Sequence, residues 1–140
     1  MHLHLDGAIR VPTIAELGDE LGIKLPTYDP KKLTKFVQVD RDCRSLGDFL
    51  KRFEVFYPIL PFAKTQERIA YELCEDCARD NVIYFEARFA PALASNKKFT
   101  MEDAVVSAGL WPMARRGARK SRPQRPHRTS SKRDRASEYS

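Results

Sequence analysis

The chain has 140 residues, a formal net charge of +6 and 42% hydrophobic residues. This length allows one domain with a buried core, but it is well short of the roughly 250 residues of a complete eight-stranded α/β barrel. Proline or charged residues interrupt its longest apolar stretches, which are much shorter than the roughly 20 residues of a membrane span, so we expect no membrane-spanning segment.

The charge is distributed unevenly along the chain. Residues 1–110 contain 15 Lys and Arg against 17 Asp and Glu, a net charge of −2, whereas residues 111–140 contain 10 against 2, a net charge of +8. Residues 111–140 also lack Ile, Leu, Val and Phe, so they cannot form a packed core. We therefore predict a folded part over residues 1–110 and a disordered, Arg-rich tail over residues 111–140. Such a tail can bind nucleic-acid phosphates, although a solvated tail without that role is the simpler interpretation.

The three cysteines favour a reducing, cytoplasmic setting, because their number is odd and no secretory segment precedes them. Cys74 and Cys77 form a C-x-x-C pair, but the pair lies inside a helical pattern and has no second pair to complete a zinc site. We interpret them as free thiols.

The first predicted strand carries two histidines. His and Leu alternate over residues 2–5, and the two-residue period of a strand places His2 and His4 on one face. Their backbones are about 6 to 7 Å apart, so both imidazoles can reach one divalent ion, for which zinc is well suited. The alternative is that the two histidines lie near the amino terminus by chance.

Helices and a second strand follow the histidine strand. A helix is predicted between Pro12 and Gly22, and residues 25–32, rich in Pro and Lys, predict a loop. The later predicted elements are a helix from Ser45 to Tyr57, a helix from Thr65, a buried strand over residues 82–89, and a helix that begins with a capping box formed by Thr100 and Asp103. This order predicts an α/β protein with a parallel sheet.

Several motifs resemble those of adenosine deaminases. HLHLDGA at residues 2–8 resembles the first-strand motif of this family, and residues 45–53 resemble the helix over its nucleoside pocket. RIAYE at residues 68–72 and YFEARFAP at residues 84–91 resemble its next helix and its second barrel strand. The resemblance runs in order over residues 2–110. It implies the N-terminal portion of a (β/α)8 TIM-type barrel, incomplete in this chain and followed by the disordered basic tail.

The resemblance implies a zinc-dependent hydrolase that converts adenosine or deoxyadenosine to inosine or deoxyinosine and ammonia, using water whose pKa the metal lowers. His2 and His4 would then be metal ligands, and Asp6 would bind the 5′-hydroxyl of the ribose. Because a carboxylate at that position repels a 5′-phosphate, a nucleoside is favoured over a nucleotide. The residues that would cover the nucleoside are Leu46, Phe49, Leu50 and Phe53.

Most of these residues also have a structural interpretation. The four apolar residues over the nucleoside would form a core stripe in an ordinary helix. Asp6 would cap the turn after the strand. Glu86 and Arg88 alternate on one face of the second strand, so an internal ion pair is a simpler interpretation for them than catalysis.

The family's other site residues are a third metal histidine, a glutamate that transfers protons, a second-shell histidine and an aspartate. All of them come from later strands, and His127, the only other histidine here, lies in surroundings that do not match. We therefore expect no catalytic acid or base in this chain, and we expect it to be a truncated form that is inactive alone. We also expect residues 111–140 to come from a truncated, alternatively spliced or frame-shifted product. The competing hypothesis is a non-enzymatic protein that binds nucleic acid through its Arg-rich tail.

Overall fold

Short strands and longer helices make up the part of the chain that the computed structural model describes, residues 1–41 and 43–114. The strands are β1 (His2–His4) and β2 (Glu86–Arg88). The helices are α1 (Val11–Glu20), α2 (Pro30–Val37), α3 (Leu46–Glu54), α4 (Ala63–Arg79) and α5 (Met101–Ala114), and two 3-10 turns cover Asp6–Ala8 and Tyr57–Ile59. Over these described residues, no helix is both long enough and apolar enough to cross a bilayer.

The two strands form a parallel pair. His2 lies opposite Glu86, and His4 lies opposite Arg88. The backbone N–H of Glu86 also donates to Met1 O at 2.8 Å. Parallel strands need a crossover connection, and α1 to α4 provide it here. The predicted parallel sheet is thus confirmed as a partial α/β unit of two strands within the described residues, and its assignment to the N-terminal portion of an incomplete TIM-type barrel stays a prediction.

The buried core lies where α1 and α4 meet the segment between α3 and α4. Apolar residues recur at spacings of three and four along α1 and α4, so each helix has one face that can be buried. The largest apolar side chains in this core are Leu5, Ile14, Leu17, Leu25, Leu33, Phe56, Ile59, Leu60, Ile69 and Leu73.

Charged side chains fasten the start of α1 to α4. The Arg10 guanidinium donates to the two carboxylate oxygens of Asp76 at 2.9 and 2.5 Å and to Glu75 Oε2 at 2.8 Å. Next to them, Thr13 Oγ1 donates to Oε2 of the buried Glu72 at 2.6 Å. These bonds fix the segment that follows β1 against the longest helix of the described part.

Helix α2 begins inside the segment predicted as a loop. The Asp29 carboxylate accepts hydrogen bonds from the backbone N–H groups of Lys31 and Lys32, and Pro30 is the first helical residue. This is the expected chemistry of a helix start, in which a side-chain oxygen satisfies free N–H groups and proline loses no bond. The loop prediction is therefore wrong from residue 30 onward.

The second predicted strand is shorter and more exposed than expected. Only Glu86–Arg88 is a strand, and Ile83 and Tyr84 are exposed. Phe85 and Phe89 pack against the core on one side, whereas β2 pairs with β1 alone within the described residues. The expectation of a fully buried strand over residues 82–89 is therefore wrong, because apolar side chains are buried only where another element covers them.

Helix α5 begins where the sequence predicts it. Asp103 Oδ2 accepts from the Thr100 backbone N–H at 2.8 Å, and the Asp103 N–H donates to Thr100 Oγ1 at 3.1 Å, which confirms the capping box. The helix continues to Ala114, four residues past the predicted boundary at residue 110. The rest of the predicted tail lies outside the described residues.

Candidate metal and nucleoside site

The imidazole rings of the two histidines of β1 lie close together. Their Nε2 atoms are 3.3 Å apart, and their ring planes cross at 83°. Two nitrogens bound to one tetrahedral zinc at about 2.0 to 2.1 Å lie about 3.3 Å from each other. The same distance also allows a hydrogen bond between the rings when one of the Nε2 atoms is protonated. His2 and His4 therefore fit two adjacent coordination positions of a zinc ion.

In the part of the chain that the structure describes, no third metal ligand lies beside the two histidines. Over residues 1–41 and 43–114, no group of three His, Cys, Asp or Glu side chains could hold a metal ion. On the neighbouring strand, Glu86 Oε1 accepts a hydrogen bond from the Tyr84 hydroxyl at 2.9 Å. In the turn after β1, Asp6 Oδ1 accepts a hydrogen bond from the Gly7 backbone N–H at 3.1 Å. Catalytic zinc sites use three protein ligands and keep a position for water, so two imidazoles are fewer than the ligands of such a site.

An open groove of about 340 Å³ lies beside His4. The end of β1 and the following turn form one wall, and α3 with the segment after it forms the other. Ser45 positions α3, because its Oγ accepts from the Asp48 backbone N–H at 3.1 Å. The residues that line the groove are His4, Asp6, Gly7, Phe49, Leu50, Phe53 and Tyr57. The groove is therefore apolar along α3 and polar along the β1 end.

The groove gathers most of the site residues predicted from the sequence. His4 and Asp6 line it together with Phe49, Leu50 and Phe53. His2 lies next to His4, but it is not among the lining residues. Leu46 is 72% exposed and also lies outside the lining. No residue of α3 is fully buried, although Phe53 packs against the core.

Tyr57 is a groove residue that the sequence reasoning did not assign to the site. Its ring centroid is 6.0 Å from that of Phe53. Burial raises the pKa of the Tyr57 hydroxyl, and the negative charges of Asp6 and Glu54 raise it further, so the phenol stays protonated and can donate a hydrogen bond. Tyr57 follows Phe53 by four residues, a spacing that places two side chains on one helix face. This spacing is the sequence signal for Tyr57.

Comparisons with known proteins agree with these features. A family model for adenosine deaminase matches residues 1–120. Curated relatives include the adenosine deaminases of Clostridium perfringens (strain 13 / Type A) and Clostridium botulinum (strain Langeland / NCTC 10281 / Type F), each 40% identical over 107 residues. These matches cover 76% of this chain and 32% of each relative, so the chain spans about a third of the length of these relatives. The chain belongs to the adenosine deaminase family and matches its N-terminal part.

Proposed function

We propose that this chain supplies two zinc ligands and one wall of the nucleoside pocket of an adenosine deaminase. The observation that carries this proposal is the 3.3 Å separation of the His2 and His4 Nε2 atoms at the edge of an apolar groove. Family membership supports the reaction class, in which water replaces the 6-amino group of adenosine or deoxyadenosine and ammonia leaves.

His2 and His4 would hold the zinc ion through their Nε2 atoms. When bound, zinc supplies a water of lowered pKa for attack on the purine. The two-residue period of β1 places residues 2 and 4 on the same face, and its pairing with β2 holds the strand in place. The sheet therefore places both imidazoles on one side of β1.

The groove would hold the nucleoside. Its volume of about 340 Å³ is in the range of small-molecule pockets, which measure roughly 300 to 1,000 Å³. Phe49 and Phe53, with ring centroids 5.1 Å apart, offer apolar surface to a purine. Asp6 would accept a hydrogen bond from the ribose 5′-hydroxyl, and its charge would disfavour a 5′-phosphate.

We also propose that this chain does not turn over substrate alone. Two imidazoles are fewer than the three protein ligands of a catalytic zinc site. No acid or base of the family is assigned to any residue of the described part. Zinc binding by the pair is then expected to be weak, and the deamination step is expected to need residues from elsewhere.

Zinc binding tests the histidine pair. We expect the purified full chain to take up zinc in competition with a chromophoric chelator, and His4→Ala to lower that affinity at least tenfold. His127→Ala is the matched control, because it removes an imidazole outside the proposed site. Equal zinc affinity in the wild type, His2→Ala and His4→Ala would contradict the proposal.

Turnover is tested on the same samples. With zinc and adenosine, we expect no absorbance change from inosine formation above that of the His4→Ala variant. Clear turnover that His4→Ala abolishes would show that the chain is active alone, while still supporting its metal site.

A further inference from the structure

A small cavity lies beside Asp6, between the end of β1 and α4. Its volume is about 10 Å³. Leu5 and Asp6 line it after β1, and Gln66 and Ile69 line it from α4. The other lining residues are Leu60, Phe89, Ala90, Leu93 and Ala94. Asp6 thus lines both the open groove and this small cavity.

Gln66 contributes a buried side-chain amide to the lining of this cavity. Its side chain is 1% exposed, and its Nε2 donates to the Leu60 carbonyl oxygen at 2.8 Å. Its Oε1 has no hydrogen-bond partner among the described residues. A buried carbonyl oxygen without a partner is costly, so such groups in folded proteins nearly always bind protein or ordered water.

We propose that this cavity is a binding site for one structural water that links Gln66 to Asp6. To hold one water, a cavity needs about 10 to 15 Å³ that a water-sized sphere can occupy, and this cavity, at about 10 Å³, meets the lower limit. The amide oxygen of Gln66 and the carboxylate of Asp6 both only accept hydrogen bonds. Water carries two donors, so one molecule satisfies both acceptors, whereas the two side chains cannot bond each other directly.

The water gives Gln66 a role as a positioning residue. Asp6 Oδ1 already accepts from the Gly7 backbone N–H at 3.1 Å. A second hydrogen bond, from a water fixed by α4, holds the carboxylate in one orientation at the groove wall. The proposed water site depends on the cavity and on Gln66, and it does not depend on the zinc proposal.

Water-selective NOE and ROE spectra of the ¹⁵N-labelled full chain test the site. We expect cross-peaks of opposite sign between water and the Gln66 side-chain amide protons, which mark a bound water rather than proton exchange. Gln66→Leu removes the acceptor and should abolish the water signals detected at the other protons that line the cavity. It should also shift the Gly7 amide resonance, because the Asp6 carboxylate loses its second partner.

Thr65→Val is the matched control. Thr65 Oγ1 is also buried without a partner among the described residues, but Thr65 does not line the cavity. Thr65→Val should therefore leave both the water cross-peak and the Gly7 resonance unchanged. A folded wild type without a water cross-peak at Gln66 would overturn the proposal, and this result decides the question even if Gln66→Leu does not fold. An unmoved Gly7 resonance in folded Gln66→Leu would overturn the positioning role.

Discussion

Arg10 shows how one side chain supports the candidate site from outside it. It lies between the turn that carries Asp6 and the first residue of α1, and it is bonded to Asp76 and Glu75 of α4. The Arg10 guanidinium holds the pKa of Asp76 below its ordinary value of 3.8, chiefly by hydrogen bonding. The bidentate geometry with Asp76 makes this pair more specific than a single surface contact.

We predict that Arg10→Met lowers the free energy of unfolding by about 2 kcal/mol near neutral pH, since hydrogen bonds to charged groups contribute roughly 1.5 to 3 kcal/mol. A lowered folded-state pKa stabilises the fold above the unfolded-state pKa, and this stabilisation is lost as the pH falls below that value. The difference between wild type and Arg10→Met should therefore be constant near neutral pH and shrink as the pH falls below about 3.8. Urea unfolding at several pH values measures it.

Arg79→Met provides the comparison for that experiment. Arg79 lies 3.4 Å from Asp76 and 3.7 Å from Glu75, and its side chain is more exposed than that of Arg10. Exposed ion pairs contribute about 0 to 1 kcal/mol, so we expect a much smaller effect. Equal losses in the two variants would show that Arg10 acts only through general charge.

Among the elements, the contact of α1 with the segment after it depends on Gly18. A Cβ at Gly18 would clash with Leu25 Cδ1 and lie 2.9 Å from Leu25 Cγ. Leu25 is buried, so it cannot move aside freely. Alanine is favoured over glycine in a helix by about 1 kcal/mol, but overpacking a core costs about 1 to 3 kcal/mol.

We therefore predict that Gly18→Ala destabilises the chain by about 1 kcal/mol, although it improves helix propensity. At Gly47 in α3, a Cβ would lie 3.7 Å from Ser45 Oγ, which is an ordinary contact. Gly47→Ala should then stabilise the chain by up to about 1 kcal/mol. Opposite shifts of the thermal midpoint would confirm both expectations, and a stabilised Gly18→Ala would contradict the packing argument.

The sequence predicts elements well where local chemistry decides them. The capping residues Ser45 and Thr100 mark helix starts because their side chains bond nearby backbone groups. The composition of residues 25–32 favours a loop, whereas Asp29 followed by Pro30 is the local signal for the start of helix α2. The burial of residues 82–89 could not be predicted locally, because burial depends on which elements cover the strand.

The candidate site was predictable to a similar extent. The period of a strand was sufficient to place His2 and His4 together, and helical spacing was sufficient to align Phe49 and Phe53. The small cavity that Asp6 lines could not be predicted, because it depends on how α4 packs against the end of β1. Leu46 lies on the same helix as the groove residues. Its exposure could not be predicted, because it depends on how α3 is oriented against the rest of the protein.

At the scale of the whole described molecule, an open apolar face lies along β2 and α5. It borders a groove of about 610 Å³ whose apolar lining residues include Val82, Ile83, Phe85 and Val105. Ile83 is fully exposed. Exposed apolar surface beside a strand edge favours association between chains.

We predict that the full chain self-associates as its concentration rises and that Ile83→Lys weakens this association. The substitution removes exposed apolar surface and loses no core packing. Sedimentation velocity over a range of concentrations measures the effect. Gln38→Lys adds the same charge at another exposed position and should change little. A wild type that stays monomeric throughout, or equal effects of both variants, would contradict the prediction.

The pairing of β1 with β2 also sets an order of events during synthesis. During synthesis, His2 and His4 precede their strand partner, Glu86–Arg88, which is made more than eighty residues later. Pairs so distant in sequence form late, because closing the intervening loop costs entropy before any contact forms. The strand that carries the proposed metal pair is therefore held in the sheet only after residues 86–88 have been made, and we expect metal capture at this pair to come late in folding.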